Sequence, residues 1–183
     1  SDITFKKFTP LASISKEIAN QTITLNSAGK TFNIAGLNSA YAISKNQKIL
    51  DKFKKIAQKR EIQSINFFGY VATKAAYDDG ALFVEKLKKY LLSNIEFTKN
   101  YLKKNNSKID FKPPEATYLL WLDFSRYNLS HNEIKNILLT KSKIALNDGV
   151  SFGNNGNGYF RLNLALSQNS LEIALSQLSK EFL

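Results

Sequence analysis

Residues 81–104 carry apolar side chains at helical spacing from end to end. Phe83, Leu87, Tyr90, Leu91, Ile95 and Leu102 recur at three, four and seven. At a rise of 1.5 Å per residue such a helix spans about 35 Å, long enough to join two domains. Asp78-Asp79-Gly80 interrupts the pattern on one side, and Pro113-Pro114 is a firm break on the other. The chain of 183 residues is long enough for one domain or two small ones. The boundaries expected are 1–80, a helix over 81–105, and 106–183.

Ahead of the long helix, residues 1–13 read as an irregular entry segment. Ser13-Ile14-Ser15 then offers a serine cap for a short helix. Thr22-Ile23-Thr24-Leu25 reads as a buried strand, and Ser39-Ala40-Tyr41-Ala42-Ile43 as a second. Asn46 caps a helix over 47–60 with Ile49, Phe53, Ile56 and Ala57 on its apolar face. Lys48, Lys52, Lys55 and Lys59 form the opposing stripe, which is far more often a solvated face than a phosphate site. Ser64 is expected to open a helix to about Tyr77 that buries Phe67, Phe68, Val71 and Ala75.

Beyond the long helix the pattern turns to strands. A short one is expected over 109–112. Tyr118, Leu120, Leu122 and Phe124 alternate with Thr117, Leu119, Trp121 and Asp123. Ser130 with Glu133 forms a capping box for a helix to about Lys141. A strand over 144–146 precedes a glycine and asparagine loop over 148–158. In 159–166, Phe160, Leu162, Leu164 and Leu166 face one way, and Tyr159, Arg161, Asn163 and Ala165 the other. Ser170 is expected to cap a final helix carrying Leu171, Ala174, Leu175, Leu178 and Phe182 on one face. Strands separated by helices make this an α/β chain.

Between the two early strands the chain breaks at Asn26-Ser27-Ala28-Gly29, small residues that let backbone approach a ligand closely. Lys30 follows, with apolar residues around it and its nearest lysines along the chain at Lys16 and Lys45. Under apolar cover and away from other cations, a lysine loses its proton more easily, and the free amine attacks aldehydes. On spacing alone, a loop lysine pointing into water is the commoner case.

Composition removes several function classes. No cysteine means no disulfide framework, thiolate nucleophile or thiolate metal site. The single histidine, His131, argues against a histidine-built zinc site and reads as a surface residue at a helix start. No run approaches a membrane span and no signal-peptide pattern opens the chain, which gives a cytoplasmic expectation with no membrane partner. The net charge of +11 raises nucleic acid as a partner. Yet only Arg60, Arg126 and Arg161 are arginines, the residue that reads guanine and phosphate forks. No nucleic-acid partner is expected, and a non-enzymatic basic interaction module stays as the competing class.

Gly149-Val150-Ser151-Phe152-Gly153 matches the nucleophile-elbow pattern Gly-x-Ser-x-Gly. That motif needs a helix after it and a histidine downstream, whereas a second glycine loop follows here and His131 lies upstream. The loop 153–158 lacks the Gly-Lys-Ser/Thr and the helix of a nucleotide loop.

Ser27-Ala28-Gly29-Lys30-Thr31-Phe32-Asn33-Ile34-Ala35-Gly36-Leu37 resembles the Schiff-base lysine segment of fold-type I pyridoxal-phosphate enzymes. Within them it is most similar to the cystathionine β-lyase (MalY/PatB-type) branch of the class I/II aminotransferases. The blocks 114–123, 145–149, Phe152-Gly153 and 158–165 are similar, in the same order, to that branch's small-domain strand and closing segment. The resemblance implies the end of a large domain with a mostly parallel sheet, a joining helix and a small α/β domain. It implies pyridoxal 5'-phosphate as cofactor, held by Lys30, with Ser27 touching the phosphate and Lys30 also removing the substrate Cα proton. An amino-acid substrate and a homodimer are implied as well, and no metal.

Arg161 stands mid-strand on the polar face of a chain that rarely uses arginine. A guanidinium can grip a carboxylate through two parallel hydrogen bonds. By itself it fits an ordinary strand arginine paired with a nearby acid; the resemblance implies that it binds the substrate α-carboxylate. β-Elimination from a cystathionine-like thioether amino acid is the expected reaction, with transamination as the alternative. Asn38 stands where many aminotransferases carry an arginine, as is typical of the lyase branch. The aspartate that partners the pyridine nitrogen in such enzymes has no counterpart: no Glu-Ile-His follows Ser1-Asp2-Ile3. The ring-stacking tyrosine and much of the phosphate cup are missing too. The expectation is therefore a C-terminal portion, inactive alone.

Overall fold

Side-chain oxygens set the helix starts. Ser15 accepts from the Ile18 amide and opens α1 (Lys16–Gln21). Asn46 accepts from the Lys48 and Ile49 amides and opens α2 (Gln47–Lys59), and Asn66 accepts from the Phe68 amide and opens α3 (Phe67–Asp79). Each cap satisfies an amide that the first helical turn leaves without a partner. The computed structural model describes residues 3–62, 66–105 and 107–182. Ser64, expected to open α3, and Asp2 lie outside the described residues. Helix α4 (Ala81–Lys104) has the bounds its periodicity predicts. It starts in one compact unit, Ser1–Leu87, and ends in a second, Lys88–Leu183.

In the first unit β1 (Thr24–Asn26) pairs antiparallel with β2 (Tyr41–Ile43), Thr24 opposite Ile43 and Asn26 opposite Tyr41. The strand expected to be buried is not: Leu25 is 66% exposed. The same holds for α3, where Phe67, Phe68 and Val71 are exposed and the buried residue is Gly69; Ala75 is exposed as well. Among the described apolar residues of this unit only Ile3, Ala19 and Ala28 are fully buried. The pattern places these side chains on one face correctly, but burial also needs a neighbour, and the unit supplies few. The apolar face of α2 joins Leu25, Tyr41 and Ile62 around an open cavity of about 390 Å³.

The second unit has a core. β3 (Leu119–Asp123) pairs antiparallel with β5 (Tyr159–Asn163), and β4 (Asn147–Asp148) pairs with the other edge of β5. Side chains alternate across a strand, so Leu120, Leu122, Phe160 and Leu162 share one face, all buried. Leu91, Ile95 and Leu102 of α4 are buried, as are Ile134 and Leu138 of α5 (His131–Thr140) and Leu171, Leu175 and Leu178 of α6 (Gln168–Glu181). Asn94, also buried, donates to the Leu164 and Leu166 carbonyls at 2.9 and 3.1 Å. That ties α4 to the chain just past β5.

Four expectations change here. All strand pairs among the described residues are antiparallel, so they display no part of a mostly parallel sheet. The strand expected over 109–112 is a single bridge, Asp110 opposite Asp123, because Pro113-Pro114 ends it. The strand expected over 144–146 lies later, at Asn147–Asp148. Helix α6 starts earlier than expected: Ser167, not Ser170, is its cap, accepting from the Ser170 amide at 3.2 Å. The Ser130–Glu133 capping box forms as expected on α5.

Ser167→Ala should therefore lower stability by about 1 kcal/mol, with a smaller loss for Ser170→Ala. Urea unfolding midpoints of the two variants check the order.

Candidate functional site

Lys30 sits in the turn after β1. Ala28 and Thr31 are buried beneath it, and the Phe32 and Ile34 amides donate to the Ala28 and Gly29 carbonyls at 3.0 Å each. Phe32 anchors the turn by packing edge-on to Tyr77 at 5.9 Å and stacking with Phe83 at 6.0 Å. The backbone is thus held from below while Lys30 projects outward. The apolar cover expected for its amine is absent, and Lys30 is exposed. Ser27, in the same turn, is half-buried, and its amide donates to the Asn26 side-chain oxygen at 2.8 Å. A primary amine and a hydroxyl on one turn of small residues are chemically suited to an aldehyde bearing a phosphate, so the residues fit pyridoxal phosphate.

Arg161 belongs to the second unit. The alternation of β3 and β5 places Trp121, Asp123, Tyr159 and Arg161 on the sheet face opposite the core, with Trp121 and Asn147 as the register neighbours of Arg161 on either side. Nη2 of Arg161 donates to Asn147 Oδ1 at 3.1 Å, and its guanidinium carbon lies 4.6 Å from the centre of the Phe152 ring. Its Nε is buried and has no partner among the described residues. A buried donor without an acceptor is costly, and a guanidinium in this state is a ready receptor for an anion. The ordinary alternative, an acid paired with Arg161, is not seen among the described residues.

Trp121 stacks on Tyr159 at 5.9 Å and meets Phe152 edge-on at 5.5 Å. Tyr159 donates to Asp123 Oδ2 at 3.2 Å. This hydrogen bond, with the charge of Asp123, raises the Tyr159 hydroxyl above its ordinary value. Burial pushes the Asp123 carboxyl up, but hydrogen bonds from Ser125 and Tyr159 outweigh it and the net shift is down. These three aromatic and acidic residues line a cavity of about 310 Å³ with Asp110, Phe111 and Lys112. The sequence reading missed Asn147, Phe152 and Trp121 as neighbours of Arg161. The pairing of β5 with β3 on one side and β4 on the other brings them together, and no local pattern encodes those pairings.

His131, expected at the surface, is largely enclosed, with 10% of its side chain exposed. Its ring lies flat on Phe160 at 4.6 Å, an interaction that a helix-start pattern does not announce. Nε2 contacts Asp148 Oδ1 at 2.8 Å, and Lys135 donates to Asp148 Oδ2 at 2.9 Å. Asp148 is held down to about 2: Lys135 is the largest cause, burial opposes it, and His131 and the Val150 amide add to the lowering. A carboxyl depressed in the folded state stabilises it above the unfolded value of about 4, and this contribution fades as pH falls through about 2. Asp148→Asn should remove that acid-side loss; urea midpoints between about pH 5 and about pH 2 measure it, and an unchanged acid limb contradicts it.

Among the described residues no group of His, Cys, Asp and Glu could hold a metal ion, and no helix is long and apolar enough to cross a membrane. The family model for aminotransferase class I and II matches residues 1–178. Cystathionine beta-lyase PatB of Bacillus subtilis (strain 168) is 34% identical over 172 residues, which cover 94% of this chain and 44% of PatB. A pyridoxal-phosphate-bound protein of Clostridium difficile 630 is similar with a TM-score of 0.93 and 44% identity, over 98% of this chain and 47% of the other. Cystalysin of Treponema denticola, whose structure contains a pyridoxal 5'-phosphate cofactor, gives a TM-score of 0.89 at 28% identity over the same 98% and 47%. The chain thus spans about half the length of the relatives it matches. With the lysine turn and the arginine-bearing strand both inside the matched residues, this chain belongs to the aminotransferase class I and II family.

Proposed function

We propose that these residues are the C-terminal portion of a pyridoxal-phosphate-dependent carbon–sulfur β-lyase acting on cystathionine-like amino acids as a homodimer. In this reading 1–80 completes a cofactor-binding large domain, 81–105 is the joining helix and 106–183 is the small domain. The observation that carries the reading is Arg161, whose buried Nε lacks an acceptor among the described residues, in a family named for chemistry on amino acids. The similarity to a named cystathionine beta-lyase favours elimination over transamination. The apolar surface left open on β1, α2 and α3 fits a domain whose remaining residues cover it.

Each residue then has a task. Lys30 holds the cofactor through its amine, and the exposed side chain is free to receive the proton that leaves the substrate Cα. Ser27 supplies a hydroxyl to the phosphate. The cofactor supplies an electron sink for the pair left at Cα. Arg161 fixes the substrate α-carboxylate, with Nε and an Nη group as parallel donors, and so orients Cα. Phe152 covers one face of the guanidinium, and shielding it there from water strengthens its pull on a carboxylate.

In the complete enzyme, borohydride reduction with pyridoxal phosphate should place the cofactor mass on Lys30, read by peptide mass spectrometry. Modification spread over surface lysines with Lys30 untouched contradicts the assignment. Arg161→Lys should cost about 2–4 kcal/mol in kcat/KM while cofactor uptake survives, because a two-point grip becomes a single charge. Release of thiol, ammonia and a 2-oxo acid from a thioether amino acid and water should need no amino-group acceptor; a strict requirement for one favours transamination.

A further inference from the structure

The segment from β4 to β5 carries both contacts on Arg161, and between the two strands it is built of two short 3-10 turns, Gly149–Phe152 and Asn154–Gly156. Asn147, which accepts from Arg161, immediately precedes Asp148; Phe152, which lies against the guanidinium, sits in the middle of the loop. Inside it Gly149 and Gly156 approach so closely that a Cβ on either would overlap the other's carbonyl oxygen. Gly158 closes the loop with a φ of +79°. Phe152 itself is 54% exposed, so packing alone does not fix where it stands.

His131 reaches both ends of this loop with its two ring nitrogens. Nδ1 accepts from the Gly158 amide at 3.0 Å, and Nε2 contacts Asp148 Oδ1 at 2.8 Å. A backbone amide can only donate, so Nδ1 carries no proton, and the neutral ring donates from Nε2 to Asp148. Asp148 passes the constraint on: Oδ1 also accepts from the Val150 amide at 3.0 Å and starts the turn Gly149–Phe152 that presents Phe152. The ring cannot drift, because it lies at 5° to Phe160, the residue beside Arg161 in β5. The capping box at Ser130 and Glu133 fixes the backbone from which His131 projects.

We propose that His131 is a positioning residue: by tying Asp148 to Gly158 it holds Asn147 and Phe152 against Arg161 and so presets the grip on the substrate carboxylate. The proposal rests on the reading of Arg161 as that grip. It predicts a loss in substrate affinity with the chemical step little changed, since His131 touches neither cofactor nor substrate in this account.

The test uses the complete enzyme loaded with pyridoxal phosphate and compares His131→Phe, His131→Gln, Arg161→Lys and the His131→Phe/Arg161→Lys pair. His131→Phe keeps the stacking on Phe160 but loses both hydrogen bonds. It should raise KM for the amino-acid substrate by about 10-fold, with kcat within about 3-fold and the cofactor retained. His131→Gln, which can still donate to Asp148, should recover part of the loss. On the Arg161→Lys background His131→Phe should add less than about 2-fold, because residues acting through one another are not additive. An unchanged KM in folded, loaded His131→Phe overturns the proposal, as does an equal loss on both backgrounds. If Arg161→Lys alone leaves KM unchanged, the carboxylate reading fails and takes this proposal with it. If Arg161→Lys weakens substrate use and His131→Phe does not, this proposal fails alone. Should His131→Phe not fold, imidazole nitrogen NMR of the unmodified enzyme decides: a neutral ring protonated at Nε2 is expected, and a ring protonated at Nδ1 overturns the tie to Gly158.

Discussion

The two-residue period of β3 and β5 governs the second unit. It sends Leu120, Leu122, Phe160 and Leu162 into the core and leaves Trp121, Asp123, Tyr159 and Arg161 on the opposite face. A slip of one residue in this register would bury Arg161 and expose Phe160. The core therefore does more than stabilise the sheet. By fixing the register it fixes which side chains can meet on the outer face, and every contact of Arg161 described above depends on it. The enclosed His131 adds a second constraint, since it stacks on the core residue Phe160 while bonding the loop that borders Arg161.

The first unit is organised by different physics. Its helices are capped and its strands paired, so backbone donors and acceptors are satisfied locally. Side-chain burial is what it lacks: Phe67 and Phe68 are 72% and 71% exposed. Local hydrogen bonding can set the shape of the lysine turn, because Ala28, Thr31 and Phe32 pin it from one side. It cannot enclose the lysine. The electrostatic argument for a reactive amine at Lys30 needs cover that these residues do not provide.

Where a signal was local, the sequence was enough to find it. The bounds of α4, the cap at Asn46, the capping box at Ser130 and the inward set of β5 all follow from spacing within one turn or one strand. Resemblance added Lys30 and Arg161 as a pair of interest. Burial in α3 does not follow from its pattern, because an apolar face says where a neighbour should be, not that one is present. That the cap of α6 falls at Ser167 and not at Ser170 does not follow from the pattern either, because serines at both ends of the first turn satisfy the same cap pattern, and only the backbone conformation separates them. The neighbours of Arg161 and the enclosure of His131 are hidden for another reason: both arise from contacts between separate elements, Trp121 and Asn147 with Arg161 and Gly158 with His131, which no periodicity reports.

In the proposed function, the Nε of Arg161, which has no partner among the described residues, marks the place of the substrate carboxylate. A crystal structure of the complete protein, grown with pyridoxal phosphate and an unreactive amino-acid analogue, tests it most directly. The analogue's carboxylate is expected on Arg161, with Nε as one of two donors, while Asn147 and Phe152 keep their present places. A carboxylate bound by other residues, with Nε still lacking an acceptor, would contradict it.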